Sequence, residues 1–245
     1  MTRLLALIAA LWAGPALALD LEEMTDAERT AFGDAVRAYL LENPDVIFEA
    51  VAIMEQRQAA EAARADVELV AANRDGLFED PRSVVGGNPD GDITLIEFVD
   101  YKCGFCKRAH GEVAKLLESD GDIRLITKEF PILGDQSLLA SRFAIAVRNV
   151  AGDDAYGAMN DALMEFNGDI APPALRRLAN TFGLDFEAIE VEMQSDEVTA
   201  QIRDTRALAQ RLNITGTPTF VLEDEMLRGF LPYDQMQALV AQKRG

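Results

Sequence analysis

Apolar residues recur along this chain with two different periods, and the change from one to the other divides it. Residues 25–43 open with Thr25-x-x-Glu28, the form of a capping box, and carry Phe32, Val36, Tyr39 and Leu40 on one stripe, which predicts an amphipathic helix. In "ENPDV", Pro44 cannot continue that helix but suits the first position of another, with Asn43 as its cap. The second helix runs from 44 to about 73, or about 45 Å at about 1.5 Å per residue. Its middle, "EQRQAAEAARAD", forms helix readily and offers little to bury, while Val46, Ile53, Ala60 and Val67 stand seven apart in a weak heptad. Two readings of residues 25–73 stand side by side. One is a helical spacer; the other is an oligomerisation arm whose apolar start, "VIFEAVAIM", packs on a sister chain as a dimer or trimer.

After the turn-rich stretch "NRDGLFEDPRSVVGGNPDGD" the period changes. "ITLIEFV" reads as an apolar strand, "CGFCKRAHGEVAKLLES" as a helix and "IRLITKEF" as a second strand, a unit of the kind that builds a parallel sheet. Residues 136 to about 211 read as helices broken at "NGDIAPP" and "FGLD"; "GTPTFVLEDEMLRGF" reads as a β-hairpin and "PYDQMQALVAQKRG" as a closing helix. The expected fold class is therefore α/β. The expected domains are a signal peptide (1–18), a helical arm (19–75), and a catalytic domain (76–245) with its helical insertion at about 136–211.

Composition narrows the function. "MTRLLALIAALWAGPALALD" places Arg3 before an apolar run and small residues at Ala16 and Ala18, the pattern of a secretory signal peptide cut after Ala18. That predicts a periplasmic protein. Removing residues 1–18 takes away one Arg and no acid, so the formal charge of -19 becomes -20. Such a balance repels phosphate backbones, and nucleic acid is not an expected partner. The chain has 2 Cys and 1 His, too few for a disulfide scaffold, and all three lie in "YKCGFCKRAH", residues 101–110.

A strand that delivers Cys103-Gly104-Phe105-Cys106 to a helix start has a chemical logic. Unpaired N–H groups and the helix dipole stabilise an anion there, so Cys103 is the expected attacking thiolate. Cys106, one turn on, closes a disulfide with it or resolves a mixed disulfide. Zinc requires four ligands, and Cys103, Cys106 and His110 make three with no second cluster. Haem attachment fails because Lys107 stands where C-x-x-C-H needs histidine. No metal or cofactor is expected, and His110 reads as a partly exposed helical residue. Glu97 shares a strand face with Ile93, Leu95 and Val99, where a carboxyl loses water and gains basicity.

"FVDYKCGFCK" after a strand, "KEFPIL" closing the next, a helical insertion and "TGTPTFVL" near the end resemble the thioredoxin superfamily, and within it the DsbA-like periplasmic thiol–disulfide oxidoreductases. The resemblance covers about residues 77–243. It implies a thioredoxin fold, a cis-proline at Pro218 beside the cysteines, and substrate docking on Thr217 and Pro218 by strand addition. It also implies that Glu97 exchanges a proton with Cys106, that exported cysteine-containing proteins are the substrates, and that a membrane redox partner resets the cysteines. The pair Gly104-Phe105, which tunes the potential, and Thr217 before the proline are similar to periplasmic isomerases rather than to the strong oxidase. The helical arm resembles that of the copper-sensitivity-suppressor C group, and isomerase or reductase activity is therefore expected ahead of dithiol oxidase activity. A different class stands beside these: a holdase for unfolded exported chains, or a copper-binding thiol protein.

Overall fold

The computed structural model describes residues 24–245, so the expected signal peptide lies outside the described residues. Contacts divide the chain into two compact units, one ending at Gln58 and the other spanning Ala59–Gly245.

The first unit holds α1 (Asp26–Glu42) and the first turns of α2 (Asp45–Ala72). The Thr25 hydroxyl accepts the Glu28 N–H at 3.4 Å and the Glu28 carboxylate accepts the Thr25 N–H at 2.9 Å, a completed capping box. At the other end the Asn43 side chain donates to the Tyr39 carbonyl at 3.0 Å. Its amide therefore closes α1 rather than capping α2, because the last carbonyls of α1 need donors and the residue after a helix is well placed to supply one. Phe32, Val36 and Tyr39 on α1, and Ile47, Phe48, Val51 and Met54 on α2, are all exposed.

In the second unit the remaining elements are α3 (Arg74–Phe78), β1 (Val84–Gly87), β2 (Ile93–Val99), α4 (Gly104–Asp120), β3 (Ile123–Glu129), α5 (Asp135–Ala151), α6 (Asp153–Glu165), α7 (Pro172–Thr181), α8 (Phe186–Glu192), α9 (Asp196–Arg211), β4 (Thr219–Leu222), β5 (Glu225–Arg228) and α10 (Tyr233–Arg244). The sheet order is β1-β3-β2-β4-β5. β2 and β3 run parallel with α4 as their crossover, and β4 pairs antiparallel with β2. The central strand is covered on both faces, which is why it reads as a continuous apolar run. Ile93 and Leu95 pack with Val113 and Leu116 of α4 and Met236 and Val240 of α10. Ile96 and Phe98 pack with Val70 of α2, Leu77 of α3 and Leu208 of α9. The insertion helices α5–α8 form a third cluster that reaches Cys103 and Cys106.

The turn-rich separator contains two elements that its sequence conceals. α3 carries a glycine in five residues, and β1 is "VVGG", so neither shows a period. Tertiary contacts form them. β1 adds antiparallel to the edge of β3, and Leu77 and Phe78 are buried. Lys128 of β3, itself buried, donates to the Gly76 carbonyl at 2.7 Å and the Ser83 hydroxyl at 2.6 Å and pairs with Asp80 at 3.2 Å.

Candidate functional site

β2 ends at Val99 and the chain turns through Asp100, Tyr101 and Lys102 before α4 begins, with Cys103 at the N-cap of that helix. The turn is held by Asp100, whose buried carboxylate accepts the N–H of Lys102 at 2.8 Å and, on the strand-end loop after β3, those of Ile132 at 2.8 Å and Leu133 at 3.0 Å. The Cys103 N–H donates to the Asp100 carbonyl at 3.0 Å. One acid thus fixes the entry to the cysteine helix against the next loop.

Both cysteines are free thiols in the structure. Cys103 is 7% exposed and Cys106 fully buried, so only the first offers its sulfur to a partner. The Cys103 thiol donates to the Thr217 carbonyl at 3.1 Å. The Thr217–Pro218 bond is cis, and the Thr217 hydroxyl is buried beside Cys106. Cys103, Cys106, Thr217 and Pro218, more than a hundred residues apart in the chain, therefore meet at one point. Gly104 and Phe105 lie in the exposed first turn of α4, and a Cβ on Gly104 would meet nothing within 4 Å.

Below them, Glu97 stands in β2 between Thr127 of β3 and Phe220 of β4. It is 4% exposed and its Oε1 has no hydrogen-bond partner. Burial pushes its carboxyl up to about 8 from the ordinary 4.5. Burial also pushes the Cys106 thiol up, with the nearby charges of Cys103 and Glu97 adding to the shift. A carboxyl and a thiol placed this way both hold their protons at neutral pH. Glu97 also lines a cavity of about 170 Å³ with Tyr156, Asn160, His110 and Asp161. His110 Nε2 lies 3.0 Å from Asp161, an α4–α6 tie that gives the histidine a structural partner.

Sequence reasoning missed the residues that frame the site. Glu129, at the end of β3, is a second buried acid, pushed up to about 7 by burial although three hydroxyls hydrogen-bond to it. Tyr101, Tyr156 and Ser141 each donate to it at 2.6 Å, joining the cysteine turn to α5 and α6. Lys107 turns inward and donates to the carbonyls of Leu163, at 3.4 Å, and Phe166, at the C-terminal end of α6. The available signal was an acid closing each apolar strand, Asp100 after "EFV" and Glu129 in "TKEF", which resembles a solvated strand end until the partners are known. Among the described residues no group of three or more His, Cys, Asp or Glu side chains is placed to hold a metal ion. No helix among them is long and apolar enough to cross a membrane.

The chain is similar to known proteins over much of its length. A family model described as DSBA-like thioredoxin domain matches residues 94–241, and one described as Copper resistance protein ScsC N-terminal domain matches residues 28–61. A solved thioredoxin-like oxidoreductase from Silicibacter pomeroyi DSS-3 is 44% identical, covers 70% of this chain and 98% of its own, and superposes with a TM-score of 0.66. Proteus mirabilis ScsC in a compact conformation is 26% identical, covers 88% of this chain and 98% of its own, and gives a TM-score of 0.64. Disulfide bond formation protein D of Bacillus subtilis is 26% identical over 166 residues, 63% of this chain and 73% of its own. The chain spans only 27% of the length of the Na(+)/H(+) antiporter NhaA 1 of Mycobacterium sp. (strain KMS), to which it is 28% identical over 169 residues.

Proposed function

The chain belongs to the DsbA-like thioredoxin domain family, and from that premise we propose that it is a periplasmic thiol–disulfide oxidoreductase of exported proteins, an isomerase or reductase in preference to a dithiol oxidase. The observation that carries the reading is the meeting of Cys103 with the Thr217 carbonyl beside Pro218, above buried Cys106 and Glu97.

In this mechanism the Cys103 thiolate attacks one sulfur of a substrate disulfide, forming a mixed disulfide and releasing the other sulfur as thiolate. In isomerisation that thiolate, or another in the substrate, attacks elsewhere until a new disulfide forms and Cys103 leaves unchanged. In reduction Cys106 transfers its proton to the Glu97 carboxylate and attacks the Cys103 sulfur. The second substrate thiol is released and a Cys103–Cys106 disulfide remains, which a membrane redox partner reduces. Thr217 and Pro218 hold the substrate strand, while Gly104 and Phe105 set the potential. A Glu97 carboxyl pushed up to about 8 serves as donor or acceptor in either direction.

The arm supplies the preference for isomerisation. Residues 28–61 match the ScsC N-terminal domain, and the exposed apolar side chains of residues 32–54 suit contact between copies of this chain. Several catalytic units joined in this way present their thiols to one misfolded substrate. The test is refolding of a scrambled multi-disulfide protein by the chain from residue 19 and by a truncation beginning at Ala59, with Cys103→Ser as control. Ala59 is chosen because the second unit keeps Val70 in its core and pairs Asp66 with Arg228. Reshuffling by the chain from residue 19 alone, and not by the truncation, is the expected result. Oxidation of a reduced substrate by both forms, with reshuffling by neither, would favour the DsbA-type oxidase, and suppression of aggregation by Cys103→Ser without turnover would favour a holdase.

A further inference from the structure

We propose that Arg108 selects substrate segments that carry a carboxylate next to their cysteine, an inference that rests on the oxidoreductase reading above. Arg108 follows Phe105 by three residues on α4, so the two side chains share a face, and its guanidinium lies over the Phe105 ring at 4.4 Å from the centroid. The same guanidinium lies 5.0 Å from the centroid of Phe230. Phe230 follows Gly229, whose N–H donates to the Pro218 carbonyl at 2.9 Å. One cation is thus held between a ring beside the cysteine pair and a ring beside the proline loop. A strand laid on Thr217 and Pro218 to reach Cys103 passes it.

The chain has 42 Asp and Glu against 23 Lys and Arg, and several arginines of the second unit pair with acids. Arg82 pairs with Asp204 at 2.9 Å, Arg148 with Asp153 at 2.6 Å, and Arg244 with Asp92 at 2.7 Å and Asp120 at 2.6 Å. No carboxylate among the described residues pairs with Arg108, which is exposed. Stacking occupies the faces of a guanidinium and leaves its edge N–H groups to donate, and their fork matches a carboxylate. Lys102, exposed at the same turn, adds positive charge, while Lys107 is turned inward. Glu112, four residues after Arg108 on α4, accepts the Tyr233 N–H at 2.8 Å, so Lys102 and Arg108 are the exposed cations beside the cysteine pair, and an aspartate or glutamate close to the substrate cysteine meets them favourably.

The experiment uses three peptides with one cysteine each, identical except for Glu, Gln or Lys two residues before it, each joined as a mixed disulfide to a chromogenic aromatic thiol. Reduction by the reduced full chain releases the thiol, and kcat/KM is read for each. An exposed ion pair contributes about 0.2–1 kcal/mol, so the Glu peptide is expected to react up to about fivefold faster than the Gln peptide, and the Lys peptide more slowly than both. Raising the salt should compress the ranking. In Arg108→Gln the Glu-to-Lys ratio should fall towards one whatever the absolute rate. Arg108→Lys, which keeps the charge without the fork, should give an intermediate ratio. Equal rates for the three peptides on the native protein, or an unchanged ratio in Arg108→Gln, would overturn the proposal. Failure to react with any of them, the uncharged peptide included, would instead remove the oxidoreductase reading beneath it.

Discussion

At the scale of the residue, Glu97 links protonation to stability. Its carboxyl titrates near 8 in the folded chain against an ordinary 4.5, so between those values the native state holds a proton that the unfolded state has lost. Folding stability must therefore fall as pH rises through that window and level off above it, by an amount of the order of a few kcal/mol. Glu129, pushed up to about 7, adds a slope of the same sign over a narrower range. Glu97→Gln is expected to flatten much of this dependence and to raise the melting temperature at pH 8, measured by calorimetry from pH 4.5 to 9. The same substitution should slow the Cys106-dependent step, read as slower release of a trapped mixed disulfide, while Cys103 alkylation continues. A variant with unaltered pH dependence of melting would show that Glu97 is not the buried proton holder. Its place was legible from the sequence because alternation put it on a buried face. Glu129 was not, because nothing in "TKEF" announces that Tyr101, Tyr156 and Ser141 will surround its carboxylate.

At the scale of the element, the site depends on how two loops are tied. Asp100 accepts three backbone N–H groups, one from the cysteine turn and two from the loop after β3. Asp100→Ala leaves those donors without their acceptor, at roughly 1–3 kcal/mol for each that water does not reach. A loss of about 2–4 kcal/mol in urea unfolding is expected, together with faster alkylation of buried Cys106 as the turn loosens. Asp100→Asn, which keeps one acceptor oxygen, should lose less. If Asp100→Ala unfolds like the native protein, the carboxylate does not hold the loops together. The elements themselves were readable where they carry a period: β2, α4, β3 and the closing hairpin follow from apolar patterning. α3 and β1 do not, since a short glycine-containing segment is shaped by what it packs against, here the core beneath Leu77 and the edge of β3.

At the scale of the whole molecule, the arm poses the question that the catalytic unit leaves open. Phe32, Val36, Tyr39, Ile47, Phe48, Val51 and Met54 are exposed on α1, which a capping box opens, and on the 28-residue α2. Each such side chain contributes roughly 1.5–3 kcal/mol when fully buried. A handful from each of two or three chains therefore offsets an association cost of roughly 4–15 kcal/mol. The formal charge of -20 of the chain from residue 19, which is -19 less the Arg3 charge, opposes assembly, so contact between copies should strengthen with salt, as expected when apolar burial drives it and charge resists it. Sedimentation of the chain from residue 19 is expected to give a dimer or trimer, and the truncation from Ala59 a monomer. Phe48→Glu should shift the full chain towards monomer without loss of helicity, and should remove reshuffling of scrambled disulfides while leaving reduction of a small mixed disulfide intact. A monomeric native chain that still reshuffles would separate isomerisation from assembly, and the preference for isomerase over oxidase would then have to come from Gly104, Phe105 and Thr217 alone.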